Sequence, residues 1–176
     1  MITTSKKPSE SEVIMTEIVL PNDTNALHNL RGGKILHWMD IASAIAAGKH
    51  TQSVVVTAAV DNVSFENPIK LGDVVTIKAR VTRAFRTSLE TYIEVEAENI
   101  PSKTRYRCNT AYYTFVSLDS NGRPKPVPAV EPETEEDQKQ YQDALHRREL
   151  RLVLAGRLKP SETKELKSIF VDPEEG

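Results

Sequence analysis

The sequence predicts an α+β fold in which a curved antiparallel β-sheet wraps around a central helix, with a C-terminal helical tail. One observation is the most apolar run of the chain, which opens at Gly32-Gly33 and closes at Gly48. Its residues Ile35, Leu36, Trp38, Met39, Ile41, Ala42, Ile45, Ala46 and Ala47 cover nearly the whole circumference of a helix. A helix apolar all round is buried. The other observation is a set of long segments after Gly48 that alternate with a period of two and keep one polar face, as an antiparallel sheet covered on one side does. One helix satisfies both patterns only if the sheet curves around it.

Residues 1–10 are polar and read as a disordered lead. Ser11–Leu20 reads as a first strand, stopped by Pro21 and Asn22. The Asn-, Asp- and Thr-rich stretch Asn22–Asn29 reads as a loop into the helix. Ser53–Val60 is β-branched and continues toward Phe65, ending at Pro68; Leu71-Gly72-Asp73 makes a turn. In Val74–Ala84, Val75, Ile77, Ala79 and Val81 share one face. In Thr87–Glu98, Leu89, Thr91, Ile93, Val95 and Ala97 share one face and Glu90, Tyr92, Glu94, Glu96 and Glu98 the other. Arg105–Leu118 is the last strand, closed by Asp119-Ser120-Asn121-Gly122. These segments place the domain at residues 11–122. Residues 123–132 hold four prolines and read as an extended linker. Residues 133–176 read as a helix followed by a charged tail; the helix starts acidic and ends basic (Arg147, Arg148, Arg151), as its dipole favours. No internal repeat is found.

A chain of 176 residues is long enough to bury a core without disulfides. Its net charge of −2 excludes a globally basic nucleic-acid binder. The single cysteine, Cys108, falls in a strand and reads as a small core hydrophobe. The polar N-terminus has no apolar signal core, and no run approaches the ~20 apolar residues that span a bilayer. A cytoplasmic protein without membrane partners is the expectation. No HExxH or zinc pattern accompanies His28, His37, His50 and His146, so no metal site is expected, and no Gly-x-Ser-x-Gly elbow is present.

Inside the apolar helix stands one carboxylate, Asp40, and a buried carboxylate is costly unless paired or used. The groups around it carry a family resemblance. Asp23-Thr24-Asn25, Gly32-Gly33 and Met39-Asp40, followed by Val63-Ser64-Phe65-Glu66-Asn67-Pro68-Ile69-Lys70-Leu71-Gly72-Asp73 and by Thr87-Ser88, resemble the hotdog-fold acyl-CoA thioesterases of the cytosolic acyl-CoA hydrolase type. The likeness covers roughly residues 11–155, one hotdog unit. Two positions depart from it. His28 stands where the family usually has glycine, and Arg31 where an apolar or aromatic residue is expected.

The resemblance implies hydrolysis of fatty acyl-CoA to a fatty acid and coenzyme A, with Asn25 and Asp40 as the catalytic pair. The chemistry suits these residues. Asp40 is a base or a nucleophile. The free N–H groups at the helix start form an oxyanion site at Gly32, where glycine, like Gly33 beside it, lets a thioester come close. Asn25 is able both to accept from and to donate to a water. By family position Thr87 and Ser88 contact the nucleotide part. Arg147, Arg148 and Arg151 suit phosphate recognition, and equally suit a solvated helix end. No cofactor is implied, coenzyme A being part of the substrate.

Two other functions compete: a non-catalytic acyl-CoA-binding or sensor module, and a hotdog hydratase or dehydratase. A pure binder needs neither Asn25 nor Asp40, and the His-Phe-Pro-Gly-like motif of the hydratases is absent. The resemblance also implies a homo-oligomer, a dimer or a hexamer built as a trimer of dimers. Helix geometry points the same way. Gly32 and Asp40 are eight positions apart, about 12 Å along a helix axis, too far for one thioester, so the expectation is a site shared between two chains.

Overall fold

The computed structural model describes residues 5–166. Helix α1 (Pro8–Ser11) and strand β1 (Val13–Ile18) lead through a 3-10 turn at Pro21–Asp23 into helix α2 (Gly32–Thr51). Strands β2 (Val54–Phe65), β3 (Val74–Ala84), β4 (Ser88–Asn99) and β5 (Thr104–Leu118) follow, then helix α3 (Glu135–Leu154). All pairings in the five-stranded sheet are antiparallel, in the order β1-β3-β4-β5-β2. Helix α2 packs on all five strands, which is the hotdog arrangement. No helix among the described residues is long and apolar enough to cross a membrane.

The alternation read from the sequence is the inside of the sheet. Val75, Ile77, Ala79 and Val81 of β3, Leu89, Thr91, Ile93, Val95 and Ala97 of β4, and Ala111, Tyr113 and Phe115 of β5 are buried. Ile35, Trp38, Met39, Ala42, Ala46 and Ala47 of α2 are buried as well, and the small residues among them let the helix lie close to the strands. The helix is not buried all round, however. Ile41 and Ile45 stand 37% and 48% exposed, because within one chain the sheet covers only part of the helix circumference. Gln52, at φ 50°, ends the helix in the left-handed conformation, its N–H on Gly48 O at 2.7 Å.

Two stretches depart from the sequence reading. In the expected disordered lead, residues 8–10 belong to α1, and the N–H of Lys6 donates to Ala129 O at 2.9 Å; residues 1–4 lie outside the described residues. The expected linker 123–132 is, up to Glu131, a strap on the domain. Lys125 N–H donates to Ser117 O at 2.9 Å, Val127 N–H to Arg86 O at 3.2 Å, and Glu131 N–H to Lys6 O at 2.9 Å. Proline fixes an extended path but removes only its own donors; the residues between keep theirs and use them, and Val127 and Val130 are buried. The imidazole of His50, at the end of α2, meets Pro128 O at 2.8 Å. The first compact unit accordingly runs through residue 131, not 122.

The second unit spans residues 132–176. Thr134 and Asp137 cap α3 reciprocally, at 3.0 and 3.2 Å. Glu149 accepts the N–H groups of Lys164, Glu165 and Leu166, which holds the start of the charged tail; residues 167–176 lie outside the described residues.

Candidate active site

Gly32 and Asp40 sit by the two ends of β2. At its C-terminal end Phe65 lies beside the start of α2: a Cβ on Gly32 would meet the Phe65 ring at 3.7 Å, and one on Gly33 would meet nothing within 4 Å. Packing within this chain therefore does not demand glycine at either position. What the missing side chains provide is open access to the backbone. The N-cap residue Arg31 has no capping side-chain bond; its guanidinium is turned away and donates to Asn22 O at 2.8 Å. The first N–H groups of a 20-residue helix are thus presented with the positive end of its dipole. A cleft of about 290 Å³ opens on Gly32 between Leu30, Ile35, Phe65 and Ile69.

The loop before the helix is built by the Asp23-Thr24-Asn25 motif. Asp23 accepts from Leu20 N–H at 3.2 Å and pairs with Lys34 at 3.1 Å, tying the loop to the first turn of α2. Burial alone would raise the Asp23 carboxyl; the Lys34 ammonium and the Leu20 N–H outweigh it and hold the group below its ordinary 3.8. Asn25 Oδ1 accepts from the N–H groups of Leu27 and Asn29, at 2.9 and 3.2 Å. These bonds orient the amide, since an NH₂ group cannot accept. The dual role read from the sequence is therefore narrowed: only Nδ2 remains to act on a substrate or water. His28 has φ 56°, in the left-handed region that glycine enters without strain. The glycine that the resemblance leads one to expect here would suit this backbone, and His28 adopts it instead.

Asp40 points to the other end of β2, where Thr57 Oγ1 donates to its Oδ1 at 2.8 Å. The carboxylate is half-buried, not fully buried as its apolar surroundings in sequence imply. Burial, and secondarily the charge of Asp40, push the Tyr113 phenol up to about 12; its hydroxyl donates to Leu36 O, one turn before Asp40, at 3.1 Å. Directly after Thr57 the register of β2 against β5 shifts by one residue, a bulge of the kind that re-aims a neighbouring side chain.

Thr87 and Ser88 lie in and beside the β3–β4 turn, where their carbonyls accept from Ser117 and Phe85. Ser88 pairs with Val116, and Val116 with Val56, so they stand at the Asp40 end of the sheet, two strands or roughly 10 Å away. Arg147, Arg148 and Arg151 lie on α3 in the second unit, where Arg147 donates to Gln140 O at 2.9 Å. Two polar residues of the site escaped the sequence reading. Thr57 sits in a β-branched run that favours threonine anyway. Asn109, on a wall of the cleft, lies next to a register shift of β5 against β4 that breaks the period of two. Among the described residues no group of three or more His, Cys, Asp or Glu side chains is placed to hold a metal ion.

Comparison with known proteins identifies the family. Residues 27–103 match the model of the thioesterase superfamily. The uncharacterized acyl-CoA thioester hydrolase YkhA of Bacillus subtilis is 40% identical over 138 residues, 78% of this chain and 80% of that protein. The mouse cytosolic acyl coenzyme A thioester hydrolase is 35% identical over 141 residues, 79% of this chain but only 37% of that protein. A hexameric acyl-CoA thioesterase superposes with a TM-score of 0.84 at 40% identity, covering 86% of this chain and 97% of that one. The acyl-CoA hydrolase of Staphylococcus aureus, solved with butyryl coenzyme A and coenzyme A, gives 0.80 at 35% identity, over 87% and 95%. Alanine variants of that enzyme at an asparagine, an aspartate and a threonine have also been solved, and those positions are spaced as Asn25, Asp40 and Thr57 are here, 15 and 17 residues apart. The chain belongs to the thioesterase superfamily.

Proposed function

We propose that this protein hydrolyses acyl-CoA to a carboxylic acid and coenzyme A at sites shared between two copies of the chain. The observation that carries the shared site is the separation of its parts: within one chain the helix start at Gly32 lies by Phe65, while Asp40 is bonded to Thr57, eight residues earlier on the same strand. Strand β2 is an edge of the sheet. Its Val54, Val56, Val60 and Phe65 are exposed, as are Ile41 and Ile45 of α2. An exposed apolar edge strand of this length is a template for pairing. Two β2 strands paired antiparallel about a two-fold axis bring the Phe65 end of one chain to the Thr57 end of the other, and they cover the bare stripe of α2.

In that arrangement the thioester carbonyl lies on the N–H groups of Gly32 and Gly33, which take up the developing oxyanion. Asn25 Nδ2 donates to the substrate or to the attacking water. Asp40 of the partner subunit, held at one oxygen by its own threonine, uses the other as base or nucleophile. Water oxygen ends on the acyl carbon, the C–S bond breaks, and the thiol leaves with a proton. The reaction asks for no metal and no organic cofactor. Thr87, Ser88, Arg147, Arg148 and Arg151 are kept as proposed contacts to the coenzyme. The mouse relative is by name cytosolic and one structural relative hexameric; we place this reaction in the cytoplasm and assemble the dimers further into a trimer of dimers.

The test is release of free thiol from a panel of acyl-CoA esters, read with a thiol reagent. Turnover of at least one chain length is expected. Binding of the esters without thiol release would make the protein a sensor or carrier.

A further inference from the structure

The strap that closes the first unit is held by a buried histidine. His50, in the last turn of α2, is 1% exposed. Its Nε2 lies 2.8 Å from Pro128 O. A carbonyl oxygen only accepts, so Nε2 carries the hydrogen and Nδ1 the lone pair. Nδ1 is buried and has no hydrogen-bond partner among the described residues. The bond fixes the strap one residue from its contact with the β3–β4 turn, where Val127 N–H donates to Arg86 O at 3.2 Å. The next carbonyl of that turn, Thr87 O, accepts from Ser117 N–H at 3.0 Å. Ser117 O in turn takes the N–H of Lys125, on the strap, at 2.9 Å. The strap therefore binds the turn directly at Arg86 and through Ser117 at Thr87.

Resting on the thioesterase reading, in which Thr87 and Ser88 contact the coenzyme, we propose that His50 is a positioning residue for coenzyme A binding: its neutral imidazole holds the strap on the β3–β4 turn in the shape that meets the coenzyme, and protonation of His50 releases it. The imidazolium needs an acceptor at Nδ1, and none among the described residues stands there. An unpaired buried donor is costly, and a buried charge more so. The ring takes up a proton and meets water only by leaving the strap. The charged groups that face it do not reverse this. Burial first holds the imidazole below its ordinary 6.5, against the pull of the Pro128 carbonyl; the Lys6 charge adds to burial and Glu10 opposes it. Both of those groups are engaged elsewhere: Glu10 accepts from Lys7 N–H at 2.7 Å, and Lys6 Nζ donates to Lys49 O at 3.2 Å. Lys6 also carries the far end of the strap on its backbone, through Ala129 O and Glu131 N–H, each at 2.9 Å. A released strap frees the Arg86 carbonyl and loosens Thr87, which weakens coenzyme binding without touching Asp40 or Gly32.

The experiment measures kcat and KM for butyryl-CoA, and Kd for free coenzyme A by calorimetry, in the wild type, His50→Leu and His50→Gln. At pH 7.5, His50→Leu is expected to raise KM and Kd by roughly threefold or more, on the scale of one lost hydrogen bond, with kcat changed by less than about twofold. His50→Gln keeps a donor at the place of Nε2 and takes up no proton, and is expected to restore both. As the pH falls from about 6.5 to 5.5, Kd of the wild type is expected to rise relative to that of His50→Gln, by at most about tenfold. Titration of coenzyme A itself is common to the two proteins and cancels in that ratio. The ratio needs no leucine variant, so the proposal remains falsifiable if His50→Leu does not fold. A ratio that does not change with pH, or a His50→Leu protein with wild-type KM and Kd, would overturn the proposal while leaving the thioesterase reading in place. A loss of kcat in both variants without a rise in KM would make His50 a packing residue and overturn it as well. No turnover of any acyl-CoA would instead refute the function on which the proposal rests.

Discussion

At the scale of single residues, Asp40 and Thr57 form the hydrogen-bonded pair on which the proposed chemistry turns. Asp40→Asn keeps the shape but removes the charge and the base, so thiol release is expected to fall about 10²–10⁴-fold with the fold retained; near-wild-type turnover would remove Asp40 from the mechanism. Thr57→Val keeps the volume and deletes the donor. The Asp40 carboxylate then loses the bond that aims it, so kcat is expected to drop with the fold retained; an unchanged kcat would remove Thr57 from the site. His50 governs stability in a different window. Burial first, and the Lys6 charge after it, lower its pKa below 6.5 in spite of the Pro128 carbonyl and Glu10. The unfolded chain therefore takes up a proton near pH 6.5 that the folded chain refuses, and stability falls as pH drops below that value, by up to about 1.4 kcal/mol per pH unit. Asp23, Asp73 and Glu149 are all held low, so their contributions are lost only at more acid pH. Melting temperatures between pH 7.5 and 5.5 are expected to flatten in His50→Gln. Of these residues Asp40 was legible in the sequence, as a lone carboxylate in an apolar run. Thr57 was not, because its role comes from the bulge after it and the helix across from it.

At the scale of elements, the strands and the central helix were legible because burial writes a period of two or an apolar circumference into the sequence. The strap was not. Four prolines in ten residues look like a spacer, and only the tertiary structure shows that the donors between them are used and that Val127 and Val130 are buried. This moves the point at which the chain divides. A protein ending at Glu131 is expected to fold, whereas one ending at Pro124 loses two buried valines and the His50–Pro128 bond. The shorter form is expected to be less stable by about 3–6 kcal/mol in urea unfolding; equal stability of the two would return residues 125–131 to a linker. The exposed stripe of α2 was hidden for the opposite reason: a helix apolar all round reads as buried in its own chain, and in the dimer proposed above part of its cover comes from a second copy.

At the scale of the whole molecule, the account rests on two chains making each site. Sequence spacing alone pointed there, because eight helical positions separate Gly32 from Asp40, and the structure adds that they face opposite ends of an edge strand. The direct measurement is complementation between Asn25→Ala and Asp40→Ala proteins, each nearly inactive by itself. In a mixed dimer one site carries both lesions and the other carries neither. Equal amounts, dissociated and re-mixed at random, are expected to recover about a quarter of wild-type activity. No recovery, with mixed dimers confirmed by native mass spectrometry, would mean that Asn25 and Asp40 act within one chain and would contradict the shared site.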